Sequence, residues 1–397
     1  QRSSARYFYR PDREQGTNSL FTDALDPTMT SMRGFGGYAR FAKDAGDWMG
    51  EIQTNIRSPG FEANDLAFLT RADYVWMNTN IVRAFTKPTK FYRRLDLVAG
   101  GQQQFNFDGD LTDKQVHFWL GTETPFYWWF SGSVQHRPEV FDDRLTRGGG
   151  VVRRAAGTSA WFDLNTDSRK RVVFAFGPNW SWNEEGAQSA GAYFDVRLKP
   201  ATNLSVTFSP SYNRTEGTAQ FVQRFADPSA THFYNQRVVF SDIEQRTLSF
   251  STRVSATFTP TLTLEMVAQP FVSSGKYSNF KEFVAPRGLE KRSFNSAELT
   301  TRPDNNGNFI YVLDPDHNPT TAQFEFANPD FNFRSLIGSA VLRWEYRPGS
   351  TLFLVWQQQR AGSAPIGDFD FSRDTEALFN QRSDNIFLIK MSYWLPR

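Results

Sequence analysis

His117, His136, His232 and His317 are the only imidazoles in the chain, and no two of them stand at the short spacing of a metal-binding pair. Cysteine is absent, which removes thiolate nucleophiles and disulfide frameworks together. No Gly-x-Ser-x-Gly elbow or phosphate-cradling glycine loop occurs, and no serine stands out as a nucleophile among the many strand serines. The acidic pair Glu184-Glu185 reads as a solvated hairpin tip. The sequence therefore points to no catalytic residue, no enzyme and no cofactor. One segment offers hard oxygen donors of the kind calcium takes: Asp304, Asp314 and Asp316, set among Asn and Gly. The same residue types build turns, and the distal Glu of a full ligand loop is missing.

Charge recurs instead at a fixed parity. Glu51, Arg94, Asp96, Asp163, Asp195, Arg197, Arg253, Glu265, Arg343, Glu345 and Lys390 each interrupt the polar side of a segment that alternates with period two. Successive strand side chains point to opposite faces, so these residues are expected on one inward face. Such charges either tune which solutes pass a water-filled interior or pair with one another as wall residues. Their signs are mixed and no single-sign stripe appears.

The elements that must position them are strands. Ser249, Ser251, Arg253 and Ser255 interleave with Leu248, Phe250, Val254 and Ala256, and Ser205, Thr207 and Ser209 with Leu204, Val206 and Phe208. The pattern recurs from Arg33 to the final segment Ile386–Leu395, whose apolar face carries Phe387, Ile389, Met391, Tyr393 and Leu395. The spacing leaves no room for helices between strands. Short polar turns such as Lys43–Gly46, Pro200–Thr202 and Arg347–Ser350 alternate with longer segments, 58–71, 137–156, 213–245, 272–333 and 362–383. That alternation predicts an antiparallel transmembrane outer-membrane β-barrel with short periplasmic turns and long outer loops, 272–333 the longest, over a single domain, 1–397. About fifteen strands are counted, and Ser3–Arg10, as the upper end of one more, makes about sixteen.

Composition agrees. Mean hydropathy is −0.52 and no apolar run of about 18 residues exists, yet 39 Phe and 16% aromatics exceed what a solvated hydrophilic chain requires. Lipid-facing bands and interfacial girdles use such residues. Tyr127, Trp128, Trp129, Trp180, Trp182, Trp344, Tyr346, Tyr393 and Trp394 are the girdle candidates; stacking on sugars is the competing use of exposed aromatics. A net charge of +2 from 44 basic and 42 acidic groups argues against nucleic acid as a partner.

Several phrases resemble a bacterial outer-membrane family: QRSSARYFYRPD (1–12), SPGFEANDLAFLTRAD (58–73), DDRLTRGG (142–149), QPFVSSGKYSNFKEF (269–283), NPDFNFRSL (328–336), AVLRWEYRPGSTLFLVWQQ (340–358) and DNIFLIKMSYWL (384–395). Its members carry an uncharacterised C-terminal β-barrel domain, often preceded by a domain similar to carbohydrate-binding modules. The resemblance implies architecture and location rather than chemistry. It also implies that this chain is the C-terminal part of a longer protein, which the start at Gln1 without a leader suits.

The leading expectation is an outer-membrane pore, uptake channel or membrane anchor, with lipid as its surroundings and envelope proteins or oligosaccharide as partners. A surface scaffold that binds proteins through its loops and conducts nothing is the second. A soluble β-rich carbohydrate-binding protein is the third.

Overall fold

The computed structural model describes residues 33–61, 69–304, 308–315 and 323–395. The chain opens with β1 (Gly36–Lys43), β2 (Trp48–Arg57), β3 (Tyr74–Phe85), β4 (Arg94–Phe105), β5 (Leu111–Glu123) and β6 (Trp129–Arg137). Two short strands, β7 (Val140–Asp142) and β8 (Val152–Arg154), pair in the next loop. The sheet resumes with β9 (Gly157–Asn165), β10 (Val172–Asn183), β11 (Gln188–Ala201), β12 (Leu204–Ala226), β13 (Gln236–Thr259) and β14 (Leu262–Phe283). Next come β15 (Lys291–Ser293), β16 (Leu299–Pro303), β17 (Phe309–Leu313) and β18 (Phe324–Ala327). The chain closes with β19 (Phe331–Arg347), β20 (Ser350–Ala364), helix α1 (Phe371–Asn380) and β21 (Asp384–Ser392). Leaving out the short loop strands, each strand pairs antiparallel with the next in one continuous meander; β15 adds to β14, and β16–β18 form a sheet of their own.

Register turns the alternation into continuous rows. Val172, Leu198, Val206, Val254, Met266, Ala340, Trp356 and Phe387 are successive cross-strand partners from β10 to β21. Leu264 pairs with Ala256 on one side and Leu342 on the other, and Leu342 continues to Leu354 and Ile389. One face of the sheet is thus a broad apolar band, while the intervening positions present a polar face. Exposed aromatics and aliphatics such as Phe41, Ile52, Ile81, Phe387 and Ile389 belong to that band. Among the described residues no helix is long and apolar enough to cross a membrane.

Four expectations require correction. The described strands do not close into a ring: β1 and β21 each have a neighbour on one side only, and Ser3–Arg10 lies outside the described residues. Segment 213–245 is not a loop, because β12 runs on to Ala226 and β13 starts at Gln236. Similarly β14 runs to Phe283, so the long connection spans 284–330 rather than 272–333. In that connection β17 and β18 pair with each other. Finally, a helix does occur.

Helix α1 belongs to a strap, 365–383, that crosses the apolar face of the sheet. The row Tyr212, Leu248, Val272, Arg334 and Gly362 joins β12 to β20, and the strap lies along it. Phe369 meets Tyr212 edge-on at 6.5 Å, Asn332 donates to the Asp368 carbonyl at 3.1 Å, and Arg360 donates to the Phe379 carbonyl. Asp370 caps the helix by accepting from the Arg373 amide at 2.8 Å. Asp374, fully buried, accepts from Asn332 at 3.0 Å and from Arg373 at 2.9 Å.

Burial pushes the Asp374 carboxyl up, but the hydrogen bonds from Arg373 and Asn332 outweigh it and hold the group below the usual carboxylate value. A carboxyl lowered on folding adds stability above its unfolded pKa of about 3.9, and that stability is lost as pH falls through the folded value. The strap is therefore expected to loosen only below about pH 4. A spin label at residue 376 should gain mobility at pH 3 relative to pH 6, and equal mobility at both would remove Asp374 as the anchor.

Candidate functional site

The polar face carries a belt that runs from β2 to β13. Glu51, Asn80, Gly100, His117, Gln135, Ser159, Ser181, Ser189, Thr215 and Gln245 are successive cross-strand partners from β2 to β13. Most are uncharged amides and hydroxyls, which strand parity placed on this face but which attention to charge passed over. Asn80 donates to Glu51 at 3.1 Å and to Asn78 at 2.7 Å. Gln102 donates to Asp113 at 2.6 Å, and Ser211 and Ser249 share a bond of 2.7 Å. A groove of about 540 Å³ opens on the β1–β6 part of the belt, lined by Arg40, Glu51, Asn80, His117, Trp119 and Gln135 among others. His117 Nδ1 and Asn80 Oδ1 are buried at its floor and make no hydrogen bond among the described residues. The surface suits hydrated or polyhydroxylated solutes, since it offers many neutral donors and acceptors and little net charge.

Glycine makes one belt contact possible. Tyr193 on β11 donates to Asp163 on β9, passing over β10 where its ring lies against Gly177. A Cβ at 177 would collide with that ring. Gly177→Val is expected to break the bond and destabilise the fold by about 1–3 kcal/mol, measured as a shift in urea midpoint. An unchanged midpoint would show that the ring moves freely.

All eleven charged candidates lie on the polar face by register. Arg94 and Asp96 pair at 2.6 Å, Arg343 and Glu345 at 3.1 Å, and Glu51 pairs with Arg40 at 2.8 Å. Asp163 is held by Asn165 and Tyr193. Asp195, Arg197, Arg253, Glu265 and Lys390 form no ion pair among the described residues. They are spread along the strands and make no single cluster.

The aromatic candidates divide. Trp180 and Trp182 stand on the apolar face near the long-loop end of β10 and are about half exposed. Trp344 meets Tyr346 edge-on at 6.0 Å at the short-turn end, where Tyr393 lies beneath the Arg347 guanidinium and the Trp394 amide donates to Ser350 at 2.9 Å. Trp128 packs between Phe126 and Phe130. Tyr127 is sandwiched by Arg93 at 4.0 Å and Arg169 at 3.5 Å. Trp129 departs from the girdle: its parity with Ser131 and Ser133 puts it on the polar face, beside Trp119 across Gly121.

At the long-loop end the connections interlock. Arg287 pairs with Asp110 at 2.6 Å, and its amide donates to Val151 at 2.7 Å. Arg153 donates its amide to Gly288 at 2.9 Å, and the Phe141 ring lies between the guanidinium groups of Arg153 and Arg287. Arg71 pairs with buried Asp143 at 3.0 Å, while burial pushes Arg144 down to about 10. Two apolar clusters support this cap: Val152, Val238, Phe240 and Phe283, and Val239, Phe280, Leu313, Phe324 and Phe326.

Among the described residues no group of acids or histidines could hold a metal ion. Asp304 accepts from the Asn308 amide at 2.8 Å and Asp314 from Gln323 at 3.2 Å, so each carboxylate serves its own loop. Asp316 lies outside the described residues.

A single antiparallel meander with one apolar and one polar face defines an all-β sheet protein of up-and-down topology. The chain belongs to the family described as a domain of unknown function (DUF5916), whose profile matches residues 14–396. No curated protein matches it.

Proposed function

We propose that this chain is the barrel domain of a bacterial outer-membrane protein, its apolar face toward lipid and its polar belt lining a passage for polar solutes. The observation that carries the reading is the row-by-row segregation: an unbroken apolar row over eight strands on one face and a polar belt over ten on the other. Water would not select a band of that breadth on an exposed face, whereas hydrocarbon requires it. Hydrocarbon also requires that the free edges of β1 and β21 be paired. Mixed charge and abundant amides favour weakly selective passage over capture of one ion.

Purified protein reconstituted in planar bilayers is expected to give stepwise conductance that disappears when the cavity beside Glu51 and His117 is filled by bulky substitutions at its lining, such as Gln135→Trp. Folded, bilayer-inserted protein without conductance would instead support the scaffold reading, which the interlocked cap favours because it presents a fixed surface. Full solubility without detergent would support a soluble carbohydrate-binding protein.

A further inference from the structure

The strap that carries α1 lies on the side of the sheet where an outer loop would be least expected, the apolar side. It follows the row Tyr212, Leu248, Val272, Arg334 and Gly362, which is a boundary. Toward the short turns the same face is apolar, with Val254, Met266 and Ala340 in register. Beyond it, on β12 and β13, the next positions are Arg214 and Arg246, followed by Glu216 and Glu244, and all four join in ion pairs.

The helix has three sides. Asp374 and Leu378 are buried against the sheet. Arg373, Glu376 and Asn380 form a polar flank. Phe371, Thr375 and Phe379, spaced four apart, form the third. Phe371 and Phe379 are 55% and 58% exposed. Thr375 donates its hydroxyl to the Phe371 carbonyl at 2.6 Å, which leaves its methyl group on the same flank.

We propose that α1 is an interfacial membrane helix: it lies flat at the outer boundary of the lipid-facing band, with Phe371 and Phe379 in the headgroup and upper acyl region of the surrounding lipid. This deepens, and rests on, the membrane reading above. Lipid is the occupant because the apolar flank is continuous with the apolar band beside which the strap runs, and because an amphipathic helix with aromatics on one flank and charge on the other suits the plane of an interface. On β10 the strap's row runs through Ala192 to Pro178, and Trp180 stands on the same face one row further toward the long loops.

The absence of cysteine makes single-cysteine labelling clean. Nitroxide would be attached at Phe379→Cys, Glu376→Cys and, within the apolar band, Met266→Cys, in protein reconstituted into phospholipid vesicles. Collisions with lipid-soluble oxygen and with a water-soluble nickel chelate would then be compared. The oxygen-to-nickel ratio at 379 is expected to be several-fold above that at 376 and to approach that at 266. Equal ratios at 379 and 376, with 266 reading as lipid, would overturn the proposal alone. Shielding of 379 from both reagents would also overturn it, since a protein surface would then cover the helix. A water-like reading at 266 would overturn the membrane reading and this inference with it.

Discussion

Arginine at Phe250 or Leu264 is expected to impair assembly in bilayers, while replacement of neighbouring Ser251 by Asn leaves it intact. Phe250 stacks on Phe208 at 5.9 Å and Leu264 sits between Ala256 and Leu342, both within the apolar band. A guanidinium placed there in hydrocarbon costs about 2–4 kcal/mol near the midplane. That is a large share of the stability of a folded domain, about 5–15 kcal/mol. Ser251 pairs with Ser209 on the polar face, where an amide can replace a hydroxyl without meeting hydrocarbon. The assay is the fraction that resists unfolding in unboiled gel samples after refolding into vesicles. If Ser251→Asn lost as much folded protein as Phe250→Arg, the assignment of the two faces would fail.

That contrast could be made from sequence because β12, β13 and β14 keep period two for about a dozen residues each, which no helix imitates. The strands could be counted for the same reason. What failed to show in the sequence has physical causes. Segment 213–245 lost its alternation because register shifts between Gly217 and Gln220, and again between Phe221 and Gln223, break the period, and because residues such as Val238, Val239 and Phe240 are buried on both faces. Helix α1 was hidden because it buries only Asp374 and Leu378 against the sheet; the Asp370 cap and the eight-residue spacing of Phe371 and Phe379 were the available signals. The contact of Tyr193 with Asp163 depends on the register of three strands, and no local pattern encodes it. The charged candidates were placed on one face by parity alone, but which of them pair depends on their height along the strands.

Truncation of Leu313 to Ala is expected to open the cap without unfolding the sheet. Leu313 is fully buried and packs with Val239, Phe280, Phe324 and Phe326, so its loss should cost about 2–5 kcal/mol. The cost should fall locally. β16–β18 pair only with one another and are held to β13 and β14 through side chains, including Phe280, whose ring lies 4.5 Å from that of Tyr311. A unit joined that way can open below the free energy of global unfolding. Trypsin applied to intact cells should therefore spare wild-type protein between residues 284 and 330 and cut Leu313→Ala there at sites such as Arg292, while gel mobility of the unboiled protein stays unchanged. Cleavage of wild type throughout that region would mean that the connection is a loose flap. Loss of the folded band in the variant would mean that the cap and the sheet form one cooperative unit, with the loop clusters acting as part of the core that sets the strand order.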